Sequence, residues 1–227
     1  MDFKNIVSLL IQEGNVDKIT NNNGTVLWER TYDYALISTG IQVIDTGVYC
    51  SENMSCEIKM SWMEFPSNAT YIGAIEYNNG SYKRCHFQCA KSGTSQIIGF
   101  WQDSPTVGNA VSIPFDTKPH ILTYSAQNLT VGIDGVVASH GNTPPTNSTF
   151  YLFDRNVVGF TANAEAGKCK VYYAKFWENG QLIRDFIPLL DSNGKMALFD
   201  LVHRKFYYDL NGNNFTYETK QRNGGDE

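Results

Sequence analysis

From position 171 to 215 apolar residues come in short runs broken by Asn, Gly and Asp, and the pattern predicts four strands, over 171–177, 181–188, 196–201 and 205–210. The breaks are Glu178-Asn179-Gly180, Asp191-Ser192-Asn193-Gly194, Val202-His203-Arg204 and Asn211-Gly212. Asn and Gly accept the positive φ that tight hairpins demand. Such a meander leaves one apolar face of every strand uncovered, so it must close onto strands from elsewhere in the chain.

Those strands are readable upstream. Cys56, Ile58, Met60 and Trp62 alternate with Glu57, Lys59 and Ser61, a half-buried antiparallel pattern. Strands are predicted over 71–77, 82–89, 96–102, 118–124, 128–134, 136–139 and 150–153. Pro66-Ser67-Asn68, Asn78-Asn79-Gly80 and Asp134-Gly135 act as turns, and 141–148, with Pro144-Pro145, as an exposed loop. The stretch 41–45 does not choose sides: Ile41 and Val43 share a side with Asp45, and Gln42 shares the other with Ile44.

Three units follow: 1–30, a sandwich over 31–217, and a polar tail over 218–227 expected to fray. In the first, 7–12, 16–20 and 25–29 read as a small meander around Glu13-Gly14-Asn15 and Asn22-Asn23-Gly24. Phe3, Ile6, Val7, Leu10 and Ile11 also fit helical spacing, with Asp2 as a cap, so the first dozen residues stay open between helix and strand. The unit is too small to fold alone and should dock on something.

Two blocks carry a family resemblance. The first holds Ser38, Thr39, Gly40, Gln42, Ile44, Asp45, Thr46 and Gly47. The second holds Asn179, Gly180, Leu182, Arg184, Asp185, Phe186, Pro188, Asp200, Val202, Lys205, Phe206, Tyr207 and Phe215. Together they resemble the LamG-like, concanavalin A-like jelly-roll domain of phage and prophage proteins from gut bacteria. The Val131-Gly132-Ile133-Asp134-Gly135 hairpin fits the same pattern.

The resemblance implies an all-β, two-sheet antiparallel jelly-roll sandwich in a virion protein, of tail, fibre or head decoration type. It implies a protein made in the bacterial cytoplasm, displayed on the particle in several copies, and joined to other virion proteins through residues 1–30. The implied work is non-catalytic adhesion to a host-surface or environmental glycan, or a purely structural role among virion proteins. A shared fold does not fix function, which has to be argued from a site.

Composition narrows the field. The 227 residues suit one all-β domain with a short appendage, and thirteen Tyr and thirteen Phe suit strands and contact surfaces. The net charge of -5 with no basic run argues against nucleic acid as a partner. No apolar run approaches the ~20 residues of a membrane span, so membrane insertion is not expected. Residues 6–11 are too short an apolar core, with no small-residue cleavage site, for a secretion signal. Cys50, Cys56, Cys85, Cys89 and Cys169 are an odd set, expected as free thiols. Asn-x-Ser/Thr triplets at Asn23, Asn53, Asn68, Asn79, Asn128, Asn147 and Asn214 read as turn composition rather than glycosylation.

Candidate chemistry is sparse. Cys85-His86-x-x-Cys89 has a zinc-like look, but alternation sets Cys85 and Cys89 on one face and His86 on the other, so no metal or other cofactor is expected. The implied fold is shared with glucanases whose catalytic strand reads E-x-D-x-x-E. Here Glu57 is followed by Lys59, Glu76 by Asn78 and Asp45 by Gly47, and no nucleophile motif accompanies His86, His120, His140 or His203, so an enzyme is not expected. Asp185, beside Arg184, is expected to accept hydrogen bonds that fix the meander, and Asp134 to serve its turn. Glycan binding wants flat rings beside planar polar groups. Trp101-Gln102-Asp103 fits best, with Tyr77, Asn79 and Tyr82 as a weaker second group.

Overall fold

The computed structural model describes residues 8–9, 18–20, 26–29, 34–64, 70–78, 81–92, 95–102, 111–139, 146–158 and 167–219. Among these residues it is an all-β structure without helices, built on two packed antiparallel sheets with a small third sheet at the start of the chain.

The small sheet consists of β1 (Ser8–Leu9), β2 (Lys18–Thr20) and β3 (Val26–Glu29), paired antiparallel in that order. It settles the open choice at residues 8–9 in favour of strand. The turns expected at 13–15, 22–24 and 66–68 lie outside the described residues.

The larger layer takes β4 (Tyr34–Ser38), β6 (Met54–Trp62), β11 (His120–Ser125), β12 (Thr130–Ile133), β13 (Val136–Ser139), β16 (Cys169–Glu178), β17 (Gln181–Leu190), β18 (Met196–Asp200), β19 (Lys205–Tyr207) and β20 (Thr216–Thr219). Its main order is β13-β12-β11-β6-β16-β17-β18-β19. β4 joins beside the first half of β16, and β20 pairs with β4. The second layer runs β10 (Ser112–Pro114), β9 (Ser95–Gln102), β8 (Ser81–Ser92), β7 (Thr70–Asn78), β14 (Thr149–Leu152) and β5 (Ile44–Tyr49), with β15 (Arg155–Val158) lying parallel to β7.

Period-two alternation delivers the core. Met54, Cys56, Ile58, Met60 and Trp62 all point inward from β6, meeting Cys85, Phe87 and Cys89 of β8 and Ile72 and Ala74 of β7. Phe150 and Phe176, one from each layer, pack edge to face with centroids 5.6 Å apart. Phe186 continues the row between Phe176 and Tyr207, at 6.2 and 4.9 Å. All five cysteines are buried and unpaired by disulfides. Burial drives the Cys56, Cys85 and Cys169 thiols well above the ordinary range, with neighbouring thiols adding to the shift.

The predicted turns form as their chemistry requires. Asn179 and Gly180 take φ of 51° and 76° between β16 and β17, and Asp134 and Gly135 take 51° and 80° between β12 and β13. Both are the left-handed pairs of two-residue hairpins. Pro188 is tolerated inside β17 because pairing with β16 stops at Phe186, beyond which the missing N–H costs no rung on that side.

Three boundaries differ from the pattern. The last meander strand stops at Tyr207 rather than running to 210, because Asp209 turns inward to accept the backbone N–H of Asn211 and Asn213. The polar end does not fray at once, since Thr216–Thr219 pairs rung by rung with β4. The ambiguous stretch 41–45 is a strand only from Ile44. Gln42 is buried there, with its Oε1 accepting from Thr39 N at 2.8 Å and Ser38 Oγ at 3.1 Å, and its Nε2 donating to Asn214 O at 2.7 Å.

Candidate functional site

The seven-stranded sheet has an outward side that its own register assembles. Cys85, Phe87 and Cys89 are in the core, so the pleat turns the positions between them away from it. Tyr77 is paired with Tyr82 across the β7–β8 hairpin, and Trp101 with His86 across β8 and β9. The two candidate ring positions on β8's neighbours are therefore about 13 Å apart along the strand, at ~3.3 Å per residue. Gln102 pairs with the core residue Cys85. Asp103 and Asn79 lie outside the described residues.

His86 is the residue on this side that the sequence reading placed correctly and then left without a role. It is only 2 % exposed although it points away from the main core. The reason is Gly73, its neighbour on β7: a Cβ built there would stand 2.3 Å from His86 Cβ and 2.5 Å from the Cys85 carbonyl oxygen, and φ is +152°. Glycine lets the two strands close over this point.

The imidazole Nε2 lies 3.0 Å from Gln88 Oε1. An amide oxygen only accepts, so Nε2 carries the hydrogen and Nδ1 presents a lone pair. Among the described residues that Nδ1 is buried with no hydrogen-bond partner, an omission worth about 1–3 kcal/mol in a sealed site. Burial first, then the charges of Arg155 and Arg84, lower the His86 pKa to about 3, so the ring is neutral at physiological pH.

Gly73 is also where β14 and β15 reach β7, since both Tyr151 and Arg155 are in register with it. Tyr151 in turn pairs with Asp45. Burial, with Asp45 and Asp154 nearby, raises the Tyr151 phenol above its usual value. Arg155, Gly73, His86 and Trp101 thus occupy one row across the sheet, with Arg84 two residues along from His86 on the same side.

The remaining polar clusters hold turns. Asp200, fully buried, accepts from Asp185 N at 3.0 Å, Val202 N at 3.1 Å and His203 Nδ1 at 2.8 Å. Asp185 adds to this cluster with its main chain, its N–H donating to Asp200 and its carbonyl accepting from Leu201 N at 2.8 Å. Arg184 stands 3.7 Å from Asp200 and donates Nε–H to the Thr46 carbonyl at 3.1 Å. The motifs around residue 46 and residue 184 meet there, across the two sheets. Asp134 serves its turn as expected and also holds His120, whose two ring nitrogens face Asp134 at 2.5 Å and Asp116 at 2.9 Å. The backbone N–H of Lys118, and then His120, hold the Asp116 carboxyl below its usual value.

Among the described residues no group of three or more His, Cys, Asp or Glu side chains could hold a metal ion. Cys85 and Cys89 face the core while His86 faces away, which removes the zinc-like set as a converging site. In comparison with known proteins, no family model matches the chain and no curated protein matches it.

Proposed function

We propose that this chain is a non-catalytic virion protein of a phage, whose sandwich binds a host-surface or environmental glycan through the outward side of the seven-stranded sheet. The observation that carries the reading is the register that pairs position 77 with 82 and position 101 with His86 in neighbouring strands of that sheet. Sugars offer apolar C–H faces to aromatic rings and hydroxyl pairs to planar polar groups, and both residue types occur along these three strands. The two blocks that resemble LamG-like phage domains support the same reading. Residues 1–30 attach the chain to other virion proteins, several copies assemble together, and the protein is made in the bacterial cytoplasm and displayed on the particle.

A second reading is a structural decoration or fibre protein that touches only other virion proteins. One feature favours it: the terminal strand β13 carries Val136 and Val137 at 56 % and 60 % exposure with no charged residue between Val136 and Ser139. Strand ends of this type pair readily with a neighbouring chain. A glycan array probed with the full chain separates the two. Saturable binding to a defined glycan supports adhesion, and uniform absence of binding together with assembly through β13 refutes it.

A further inference from the structure

We infer that the small leading sheet, β1–β3, docks on the outer face of the ten-stranded sheet, over β4, β17 and β18, and makes this end of the sandwich three layers deep. The inference stands apart from the glycan reading. It says where the leading unit sits, and so leaves only the side turned away from the sandwich to meet other virion proteins.

The outer face is divided. Leu36, Phe186, Met196 and Leu198 point into the core, so alternation turns Ala35, Ile37, Ile187, Ala197 and Phe199 the other way. None of these five belongs to the core between the two layers, yet none is more than 8 % exposed. The far end of the same face shows what an uncovered position looks like. Ile121, beside the core residue Leu122 on β11, is 38 % exposed, and Val137, paired with Gly132 between the core residues Val131 and Ile133, is 60 % exposed. Pleating alone therefore does not hide apolar side chains on this side, and a further layer has to lie over β4, β17 and β18.

Among the described residues, two contacts close the margins of that patch. Phe206, on the terminal strand β19, sets its ring 4.9 Å from Phe199. Lys170 and Glu218 form an ion pair across β4, where they are in register with Ile37 and Ala35.

Connectivity names the occupant. β4 opens at Tyr34, so the chain before it reaches the patch with no linker to cross. Register brings Leu9, Ile19 and Trp28 into one rung across β1–β3. A sheet of three strands this short has no core of its own and needs a second apolar layer against it. The patch needs the same thing. A neighbouring copy would have to bring its own leading unit past the one already tethered there.

The test cross-links the wild-type chain through its lysines, in an equal mixture of ordinary and heavy-isotope protein. Lys4 or Lys18 is expected to join Lys170 or Lys175, which are paired with Ile37 and Asp185 on the patch side, and to do so within single chains. Links confined to Lys83 and Lys118, links only between unlike isotopes, or no link from either leading lysine each overturn the inference. A second measurement uses the full chain carrying Ile19→Asp and Trp28→Asp. Release of the leading sheet should uncover the patch and raise the fluorescence of an apolar-surface dye several-fold, while the sandwich still melts cooperatively. A dye signal equal to that of the wild type overturns the docking, and if the double variant does not fold, the wild-type cross-links decide.

Discussion

Arg184 donates its Nε–H to the carbonyl of Thr46 across 3.1 Å, and so ties β17 of one sheet to β5 of the other. The same side chain stands 3.7 Å from the buried Asp200 and 6.0 Å over the Tyr207 ring. Gly47, with φ of +68°, sits beside it; a Cβ there would touch an Arg184 terminal nitrogen at 3.4 Å.

Removing this tie should be costly. Arg184→Ala leaves Asp200 without its nearest guanidinium and the Thr46 carbonyl without a donor, and should lower stability by about 2–4 kcal/mol. Denaturant unfolding followed by tryptophan fluorescence measures it. A loss under about 0.5 kcal/mol, the range of an ordinary surface substitution, would show that the corner is held by packing alone.

Gly73→Ala should do more damage than its size suggests. The new methyl must displace His86 Cβ and also two backbone atoms, the Cys85 carbonyl oxygen and His86 Cα, at 2.3 to 2.7 Å. A loss of about 3 kcal/mol or more is expected. The double variant with His86→Gly should stay destabilised, because the backbone contacts persist. Full recovery in that double variant would place the clash in the His86 side chain alone.

His86 makes stability depend on pH. Its pKa is about 3 when folded and 6.5 as a free side chain. Between those values the unfolded chain binds a proton that the folded chain refuses. Stability from this group is therefore complete above pH 6.5 and is lost as the pH falls toward 3, by on the order of 5 kcal/mol in all. Unfolding midpoints of the wild type and His86→Gln, measured from pH 7 to 4, should converge as the medium is acidified. Parallel curves would mean that the folded chain accepts the proton as readily as the unfolded one.

The thiols should be silent until the chain opens. Cys50, Cys56, Cys85, Cys89 and Cys169 are all buried, and three of them are held further in the thiol form by their surroundings. A disulfide reagent at mildly alkaline pH should label none of them in the native protein and all five in strong denaturant. Rapid labelling of one thiol under native conditions would reveal a local opening at that strand.

Much of this architecture was legible because it is local. Period two along 56–62 and 85–89 placed Cys56, Met60, Cys85 and Cys89 inward, and it set His86 apart from its neighbours. The Asn179-Gly180 and Asp134-Gly135 pairs announced their hairpins through the φ values they tolerate. Long-range pairing was not legible. Nothing at 216–219 signals a partner at the other end of the sequence, and only the register, with Thr219 paired to Tyr34 185 residues earlier, supplies one. Buried polar residues such as Gln42 and Asp200 broke alternation for reasons visible only once distant backbone groups came within hydrogen-bond reach. The candidate site was half legible: ring positions could be named, but the row that joins position 101 to Arg155 depends on β15 joining β7 in parallel.

That register has a mechanical consequence. β4 begins at Tyr34 and β20 ends at Thr219, and the two residues face each other. Tension applied between the leading and trailing segments would therefore peel this ladder apart one hydrogen-bonded pair after another, instead of loading all its rungs in shear. The chain therefore enters β4 and leaves β20 at one shared corner of the sandwich.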